Sequence, residues 1–304
     1  MALNQYGYGL LLYFALSLPA YAQSDEGKVA FSKHDYRAAL LNWQPQAERG
    51  DATAQYGLGR LYFFGLGVQS DFEKAVFWFR KAADQNNPYA ERRLGLAYSL
   101  GHDNVAPDLE QANIWYQTAI TGFIKAAEGG DVMAQYSLGS MYSQGEGMVP
   151  DAAKANFWFQ KAMGSFREEA ERGTASAQYW LGEMYLGGQG VSRDEDEAIS
   201  WLSKAGEQGD LDAQLSLGDI YTYEQYNRRD SDLAIKWLTK AAERGDPGAQ
   251  RRLGTVYAER AHPNDAAKAA YWLRREADTT ASSAVTDSSS ESAKPADVPP
   301  SSKN

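Results

Sequence analysis

The chain has 304 residues, of which 43% are hydrophobic and 12% aromatic, so it has the composition of a folded protein and the length of one or two globular domains or one repeat array. Its formal net charge of -10 argues against a nucleic-acid partner, because such binding depends largely on Lys and Arg neutralising phosphates, and it disfavours acidic membrane surfaces. The absence of cysteine excludes disulfides, thiolate nucleophiles, Cys-ligated zinc and a lipid-attachment cysteine.

The first element is a predicted secretory signal, residues 1–22. An apolar stretch over residues 8–18 precedes the small-residue box Ala20-Tyr21-Ala22, which favours cleavage between Ala22 and Gln23. The segment departs from the usual pattern because it has no Lys or Arg at its start. The alternative is an uncleaved membrane anchor, but an apolar stretch of about 11 residues is well short of the roughly 20 needed to span a bilayer. We therefore expect a periplasmic or secreted bacterial protein without stable membrane insertion after cleavage.

A repeated first helix is predicted by the dipeptide Leu-Gly, which recurs at intervals of 36, 44, 43, 36 and 36 residues. Each Leu has an Ala four residues before it and a Tyr four residues after it, and this spacing places the three side chains on one helix face. The six leucines are Leu58, Leu94, Leu138, Leu181, Leu217 and Leu253.

A second helix is predicted by a tryptophan 19 to 21 residues after each Leu, with an Ala three residues before it. The periodicity predicts these tryptophans as core residues; they are Trp78, Trp115, Trp158, Trp201, Trp237 and Trp272. Three units carry Gly-x-Gly between the helices, followed by Asp, which suits a sharp turn and then a helix start. Since one helix pair cannot bury both its apolar faces, neighbouring units must stack into an elongated superhelix.

These residues resemble the Sel-1-like repeats, relatives of the tetratricopeptide repeats, whose signature is A-x-x-x-L-G-x-x-Y-x-x-G-x-G-V, then D, then A-x-x-W-[FY]-x-K-A-A. The resemblance covers about residues 51–277, and repeats two, five and six lack the glycine turn, so their turns are expected to differ. It implies an all-α, right-handed superhelical solenoid of about six helix-turn-helix repeats over residues 51–278, preceded by an N-terminal helical cap over residues 23–50. It also implies a non-enzymatic scaffold for protein partners, and it identifies no partner and no cofactor.

Two columns of the first helix are predicted to line a concave partner groove, because in solenoids of this type the first helix faces the concave side. These columns lie three and six residues after the repeating Ala and include Arg and Trp, the residue types that dominate binding hot spots. The candidate groove residues are Arg60, Arg93, Trp180, Glu183, Asp219 and Arg252. The alternative is a solvated face on which Trp180 rests against a neighbouring side chain.

Repeats two and three are each about seven residues longer than the others, and the extra residues follow the tryptophan. Seven residues are nearly two helical turns, so the second helix can continue with its apolar face in register and reach about 10 Å further. Phe123, Ile124 and Phe166 would decorate this extension. They are predicted either to pack the two extensions against each other or to form a partner surface.

The last segment, residues 279–304, is rich in Ser, Ala, Thr, Asp and Pro and is predicted to be disordered. Enzymatic signatures are missing: the sequence has no Ser-x-x-Lys, no G-x-S-x-G and no H-E-x-x-H. We therefore predict no catalytic, metal-binding or cofactor-binding residues, and treat His34, His102 and His262 as surface residues. Two alternatives remain, an envelope hydrolase acting on β-lactam or peptidoglycan fragments, since some proteins of this fold have been linked to such activity, and a glycan-binding module that uses groove tyrosines.

Overall fold

A computed structural model describes residues 25–101, 106–223, 226, 228–260 and 262–284. These residues form fourteen α-helices and, within those ranges, no strand, so the predicted all-α fold is confirmed. The helices are α1 (Glu26–Ser32), α2 (Tyr36–Glu48), α3 (Ala52–Phe64), α4 (Phe72–Ala83), α5 (Pro88–Leu100), α6 (Leu109–Glu128), α7 (Val132–Gln144), α8 (Ala152–Glu171), α9 (Ala175–Gly187), α10 (Glu195–Glu207), α11 (Leu211–Thr222), α12 (Ser231–Glu243), α13 (Pro247–Arg260) and α14 (Asp265–Ala284). The predicted signal and its cleavage site at Ala22 and Gln23 lie outside the described residues.

Each helix packs mainly on the helices before and after it in the chain, as expected for a stack of hairpins. The hairpin α1–α2 lies within the predicted cap, and six repeats follow as the pairs α3–α4 to α13–α14. The odd-numbered helices are the first helices of the repeats and the even-numbered ones are the second helices. Among the described residues, no helix combines the length and the apolar character needed to cross a bilayer.

The turn inside a repeat closes in the same way with and without its glycines. Gly65, Gly145 and Gly188 end three of the first helices with φ of 66°, 72° and 65°, a left-handed conformation that glycine adopts without steric cost. In five repeats the amide of the Asp before the second helix donates to the carbonyl of the Tyr four residues after the repeating Leu. These bonds are Asp71 to Tyr62, Asp108 to Tyr98, Asp151 to Tyr142, Asp194 to Tyr185 and Asp230 to Tyr221. Repeats two and five therefore keep the closing bond although they lack the glycine pair.

The glycine of each Leu-Gly pair lies against the residue that follows the tryptophan. A Cβ at Gly59 would lie 2.4 Å from the Phe79 ring, and a Cβ at Gly139 would lie 2.5 Å from the Phe159 ring. Both rings are buried, so the missing side chain lets the two helices of a repeat approach closely. The residue after the tryptophan is rotated by about 100° around the helix and points most directly at the first helix.

The tryptophans are therefore less uniformly buried than the periodicity predicts. Trp43, Trp158, Trp237 and Trp272 are in the core, whereas Trp78, Trp115 and Trp201 are half-buried. In repeats one, two and four, where the tryptophan is half-buried, the buried aromatic or aliphatic side chain is that of the next residue along the chain: Phe79, Tyr116 and Leu202.

Successive repeats are joined by a ladder of buried glutamines. In five of the six repeats, the residue after the repeating Ala is a Gln whose side-chain amide donates to the carbonyl oxygen eight residues earlier, at the end of the preceding second helix. The donors are Gln55, Gln135, Gln178, Gln214 and Gln250, and the distances are 3.1, 3.1, 3.0, 2.8 and 3.2 Å. Each bond is a second hydrogen bond to a carbonyl at a helix end, which also accepts from the backbone amide of the glycine three residues later.

The second helices of repeats two and three are longer than those of repeats one, four and five, as the insertions predict. Helices α6 and α8 each have 20 residues, compared with 12 in α4 and 13 in α10. Phe123 and Phe166 on these extensions are 0% and 5% exposed, and Ile124 is half-buried. The Phe123 ring meets Tyr89 edge-on at 4.9 Å. Phe123 and Phe166 are core residues rather than a partner surface, because each extension covers a ring on a first helix.

Helix α14 passes the predicted boundary at residue 278 by six residues and ends at Ala284. The Thr279 hydroxyl donates to the Arg275 carbonyl over 2.8 Å and also reaches Gln250 on α13. Local hydrogen bonds and contact with the last first helix therefore extend the helix beyond the end of the apolar pattern. Residues 285–304 of the predicted tail lie outside the described residues.

Candidate partner-binding face

The array curves back on itself, so that its N-terminal hairpin contacts repeats five and six. His34, in the turn between α1 and α2, lies 2.8 Å (Nδ1 to Oδ2) from Asp246 and 3.2 Å (Nε2 to Oδ1) from Asp212. Asp246 precedes α13 and Asp212 lies in the first turn of α11. The charge of Asp212 also acts on Arg60 of α3. Side chains of distant first helices therefore share one side of the array, which we call the inner face.

The first two predicted groove residues lie at the N-terminal end of the inner face. The Arg60 guanidinium stacks over the Phe31 ring at 4.1 Å and lies 5.7 Å from the Tyr56 ring. Its Nε atom is buried and has no hydrogen-bond partner. Burial lowers the pKa of Arg60, and the positive charge of Arg93 lowers it further. Arg93 in turn lies over Phe64, 5.3 Å from the ring centroid.

Trp180 lies in the middle of the inner face and packs among aromatic side chains. Its ring is parallel to Phe166 at 6.1 Å and tilted against Tyr136 at 5.0 Å. Tyr179 meets it edge-on at 5.3 Å. Trp180 is half-buried, so this geometry agrees with an aromatic residue that rests on its neighbours, while one side remains accessible.

The remaining groove residues bridge adjacent repeats near the C-terminal end. Glu183 accepts a hydrogen bond from the Ser216 hydroxyl over 2.8 Å, and Arg252 lies 3.3 Å from the Asp219 carboxylate. Burial raises the pKa of both Glu183 and Asp219; the Ser216 bond and the Arg252 charge oppose these shifts respectively. The residue six after the repeating Ala thus faces the residue three after the repeating Ala of the next repeat, and we call each such pair a rung.

Sequence reasoning missed a strong ion pair on the inner face. Arg92 donates from Nε and from a terminal nitrogen to the two carboxylate oxygens of Glu146, each over 2.7 Å, and also to the Ser140 hydroxyl over 3.0 Å. Glu146 is the middle residue of a Gly-x-Gly turn, where the other two such turns carry Leu and Gln. Its only sequence signal is the glutamate in the turn, because an arginine also lies two residues after the repeating Ala in repeat six, at Arg251.

A cleft of about 430 Å³ opens among repeats three, four and five. Its lining combines tyrosine rings, an aliphatic side chain and the half-buried Glu183; the residues are Tyr136, Glu183, Leu186, Gly187, Gln189, Arg193 and Tyr226. The cleft has the size to receive one or two side chains of another protein. Arg193 of this lining forms an ion pair with Glu195, over 2.6 Å.

The histidines do not form a metal or catalytic centre in the described part of the chain. Both ring nitrogens of His34 contact carboxylates, so neither is free to act as a base. His262 is exposed before α14, and His102 lies outside the described residues. No group of three or more His, Cys, Asp or Glu side chains could hold a metal ion within those residues.

A comparison with known protein families agrees with this architecture of six repeated helix pairs. The profile of the Sel1 repeat matches residues 52–87, 88–122, 132–162, 175–210, 211–246 and 247–278. The chain belongs to the Sel1 repeat family. The matches leave out the extended ends of α6 and α8. Sel1 repeats mediate protein–protein interaction.

Relatives of this Sel1 repeat protein share segments of it. It is 44% identical over 57 residues to the ERAD-associated E3 ubiquitin-protein ligase component HRD3A of Arabidopsis thaliana, a match that covers 18% of this chain and 8% of that protein. A Sel1 repeat protein from Oxalobacter formigenes is 29% identical, with 83% of this chain and 98% of that chain covered and a TM-score of 0.41. The protective antigen c5321 of uropathogenic Escherichia coli is 28% identical, with 83% and 60% covered and a TM-score of 0.39. The chain spans 8% to 15% of the curated relatives that it matches.

Proposed function

We propose that this Sel1 repeat protein is a non-enzymatic scaffold that holds protein partners against its inner face. The observation that carries the proposal is that this face gathers half-buried arginine, tyrosine and tryptophan side chains, the types that contribute most to binding hot spots. They are Arg60, Arg93, Tyr136, Tyr179 and Trp180.

Neighbouring rings already hold these side chains in place. Arg60 lies over Phe31, and Trp180 is packed between Phe166 and Tyr136. Ordering a flexible side chain on binding costs roughly 0.5–1.5 kcal/mol. A face whose large side chains are fixed before binding avoids most of this cost, which supports its use as a docking surface.

Photo-crosslinking in cells tests whether partners bind the inner face or the outer side of the array. The outer side of repeats one to three also exposes apolar side chains, at Phe77, Ile114 and Phe157 (38%, 50% and 50% exposed). A photoreactive amino acid would replace Tyr179 on the inner face or Phe157 on the outer side. We expect protein adducts from position 179 and few from position 157. Adducts from position 157 alone would contradict the proposal.

We also propose that the scaffold works in the periplasm or outside a bacterial cell. The support is the predicted signal, with an apolar stretch and a small-residue box. Cell fractionation and N-terminal sequencing test it, and we expect the mature chain to begin at Gln23. A full-length chain retained in the cytoplasm or membrane fraction would contradict this location.

The two alternatives have direct assays. The hydrolase alternative requires an activated nucleophile, and His34, the described histidine nearest the inner face, has both nitrogens engaged by Asp212 and Asp246. We expect no turnover of a chromogenic β-lactam and no selective signal on a glycan array. Two results together would overturn the scaffold function: the protein shows turnover, and Trp180→Ala, Arg93→Ala and Arg252→Ala leave every interaction with partners unchanged.

A further inference from the structure

The rungs of the inner face differ in charge from one end to the other. Near the C-terminal end, Asp219 faces Arg252 at 3.3 Å as an ion pair. One rung earlier, Glu183 accepts a hydrogen bond from Ser216. At the N-terminal end the same two positions hold Arg60 and Arg93, which are like charges. The two residues of a rung therefore attract each other at two rungs, whereas the two arginines of the N-terminal rung repel each other.

The carboxylates near Arg60 are already used by other residues. Asp212, whose charge reaches Arg60, contacts His34 at 3.2 Å. Glu146 forms its bidentate pair with Arg92. Among the described residues neither Arg60 nor Arg93 has an ion pair, and the buried Nε of Arg60 has no acceptor. The cationic end of the inner face is thus left without an anion from this chain.

A charge held away from water without a partner destabilises a folded protein, and replacing it by an apolar side chain removes that cost. The aromatic rings nevertheless hold both guanidinium groups in place, Arg60 over Phe31 and Arg93 over Phe64. Arginine suits this role because its planar fork binds a carboxylate through two parallel hydrogen bonds. Fixed, unpaired guanidinium groups in adjacent repeats fit an anion that a second molecule supplies.

We propose that Arg60 and Arg93 bind a carboxylate group of the protein partner, from an Asp or Glu side chain or from a C-terminus. This inference rests on the proposed scaffold function and specifies the chemistry of one end of the partner. The middle and C-terminal part of the face carries Glu183, Asp212 and Asp219, and the cationic groups beside them, Arg252 and His34, are already engaged by carboxylates of this chain. The acidic end of a partner segment is therefore directed to repeats one and two.

Fluorescence anisotropy with three labelled peptides tests the site in the mature chain. The peptides share an Ala-Ser background: one has two glutamates and a C-terminal amide, one has two glutamines and a free C-terminal carboxylate, and one has two glutamines and an amide. We expect one or both carboxylate peptides to bind and the neutral peptide not to bind. The arm that binds identifies the source of the carboxylate. Equal binding of all three, or none at millimolar concentration, overturns the proposal.

Variants of the two arginines locate the binding. Arg60→Gln and Arg93→Gln are each expected to weaken binding of the carboxylate peptide about tenfold or more. Arg172→Gln is the matched control, because Arg172 lies between α8 and α9 with 71% of its side chain exposed and loses the same charge. Its affinity should not change. Unchanged affinity in both inner-face variants overturns the site.

The stability of the free protein supplies a second readout. Arg60→Met keeps the stacked stem but removes the unpaired charge, so we expect a higher melting temperature together with loss of peptide binding. A melting temperature below that of the unchanged protein would contradict the claim that the Arg60 charge has no partner in the free protein. Arg93→Gln would still show whether the peptide binds at this site. If position 179 crosslinks a partner in cells while all peptides fail, the scaffold stands and only the carboxylate site is lost.

Discussion

The glutamine ladder has one exception, and it is a single residue. In repeat two the position is Glu91, which is 3% exposed, and the carbonyl eight residues earlier belongs to Ala83. An ionised carboxylate has no hydrogen to donate to a carbonyl. Burial raises the pKa of Glu91. The sequence therefore carries an acceptor where the other five repeats carry a donor.

Glu91→Gln is expected to raise the free energy of unfolding at pH 7 by about 1 kcal/mol, because its side-chain amide can give the Ala83 carbonyl a second hydrogen bond beside the one from the Asn86 amide. The pKa of Glu91 is higher in the folded chain than its ordinary 4.5. Its contribution is therefore present below pH 4.5 and is lost as the pH rises through the folded-state pKa. The gain from Glu91→Gln should grow over the same range. Urea denaturation at pH 4.5 and pH 7 measures both effects, and Gln135→Glu should show the opposite change.

Two glycines in neighbouring helices predict opposite results for the same substitution. A Cβ at Gly139 would meet the Phe159 ring at 2.5 Å, whereas a Cβ at Gly164 in α8 would meet nothing within 4 Å. We expect Gly139→Ala to lower the free energy of unfolding by about 1–3 kcal/mol through overpacking. Gly164→Ala should raise it by up to about 1 kcal/mol through helix propensity. Thermal unfolding of both variants checks the pair, and a stabilised Gly139→Ala would refute the close helix approach.

At the scale of the elements, the start of each first helix is set by its N-cap. The side chain of the cap residue accepts a hydrogen bond from the amide three residues later at five first helices, and these caps are Asp51, Asn87, Asp131, Asp210 and Asp246. Helix α9 begins after Thr174, whose side chain makes no capping bond. One of the 20-residue second helices, α8, therefore leads into the most weakly capped first helix of the six repeats.

Thr174→Asp is expected to stabilise α9 by about 1 kcal/mol, because the carboxylate accepts from a free amide and lies at the positive end of the helix dipole. Hydrogen exchange should slow at the first amides of α9, and the melting temperature should rise. Asp131→Thr is the matched control at α7 and should lose a similar amount. Faster exchange in α9 after Thr174→Asp would contradict the geometry of this cap.

At the scale of the whole molecule, His34 joins the two ends of the array. Burial of its ring disfavours the charged form, but the hydrogen bonds and charges of Asp212 and Asp246 outweigh this and raise the pKa of His34 from 6.5 to about 9. Burial also works against ionised Asp246, but its hydrogen bonds, with His34 first, lower the pKa of Asp246 below 3.8. The contact is therefore strongest between these limits.

Closure of the array should weaken in alkali. Because the folded chain holds the His34 proton more tightly, its contribution is complete below pH 6.5 and is lost as the pH rises through about 9. We expect a loss on the order of 2 kcal/mol over this range. Unfolding of the protein and of His34→Gln between pH 6 and pH 10 measures it, and the difference should vanish at the alkaline end. His262→Gln, at an exposed position, should behave like the unchanged protein at every pH.

Small-angle scattering reports on the same contact without unfolding. His34→Gln at pH 7 should increase the radius of gyration, since the hairpin α1–α2 is released from repeats five and six. An unchanged radius in the variant, together with an unchanged pH profile, would show that the curvature does not depend on His34.

Much of the fold follows from local order in the sequence. Apolar residues spaced four apart around each Leu, a tryptophan 19 to 21 residues later and the glycine turns determine hairpins that must stack, because each unit leaves an apolar face open. The insertion after Trp115 and Trp158 likewise determines the longer α6 and α8. These features depend on helical periodicity, which is visible within one repeat.

Only the tertiary structure decided which side chains of different repeats contact each other. The sequence could not predict that His34 meets Asp212 and Asp246, because this contact depends on the curvature summed over several repeats. Nor could it predict that Arg92 pairs with Glu146, because that contact depends on how two neighbouring repeats are rotated relative to each other. It also could not tell that Phe123 and Phe166 are buried while Arg60 keeps no acceptor. Helix periodicity fixes the direction of a side chain on its own helix, whereas the small rotation between neighbouring hairpins decides which side chains of distant repeats come together.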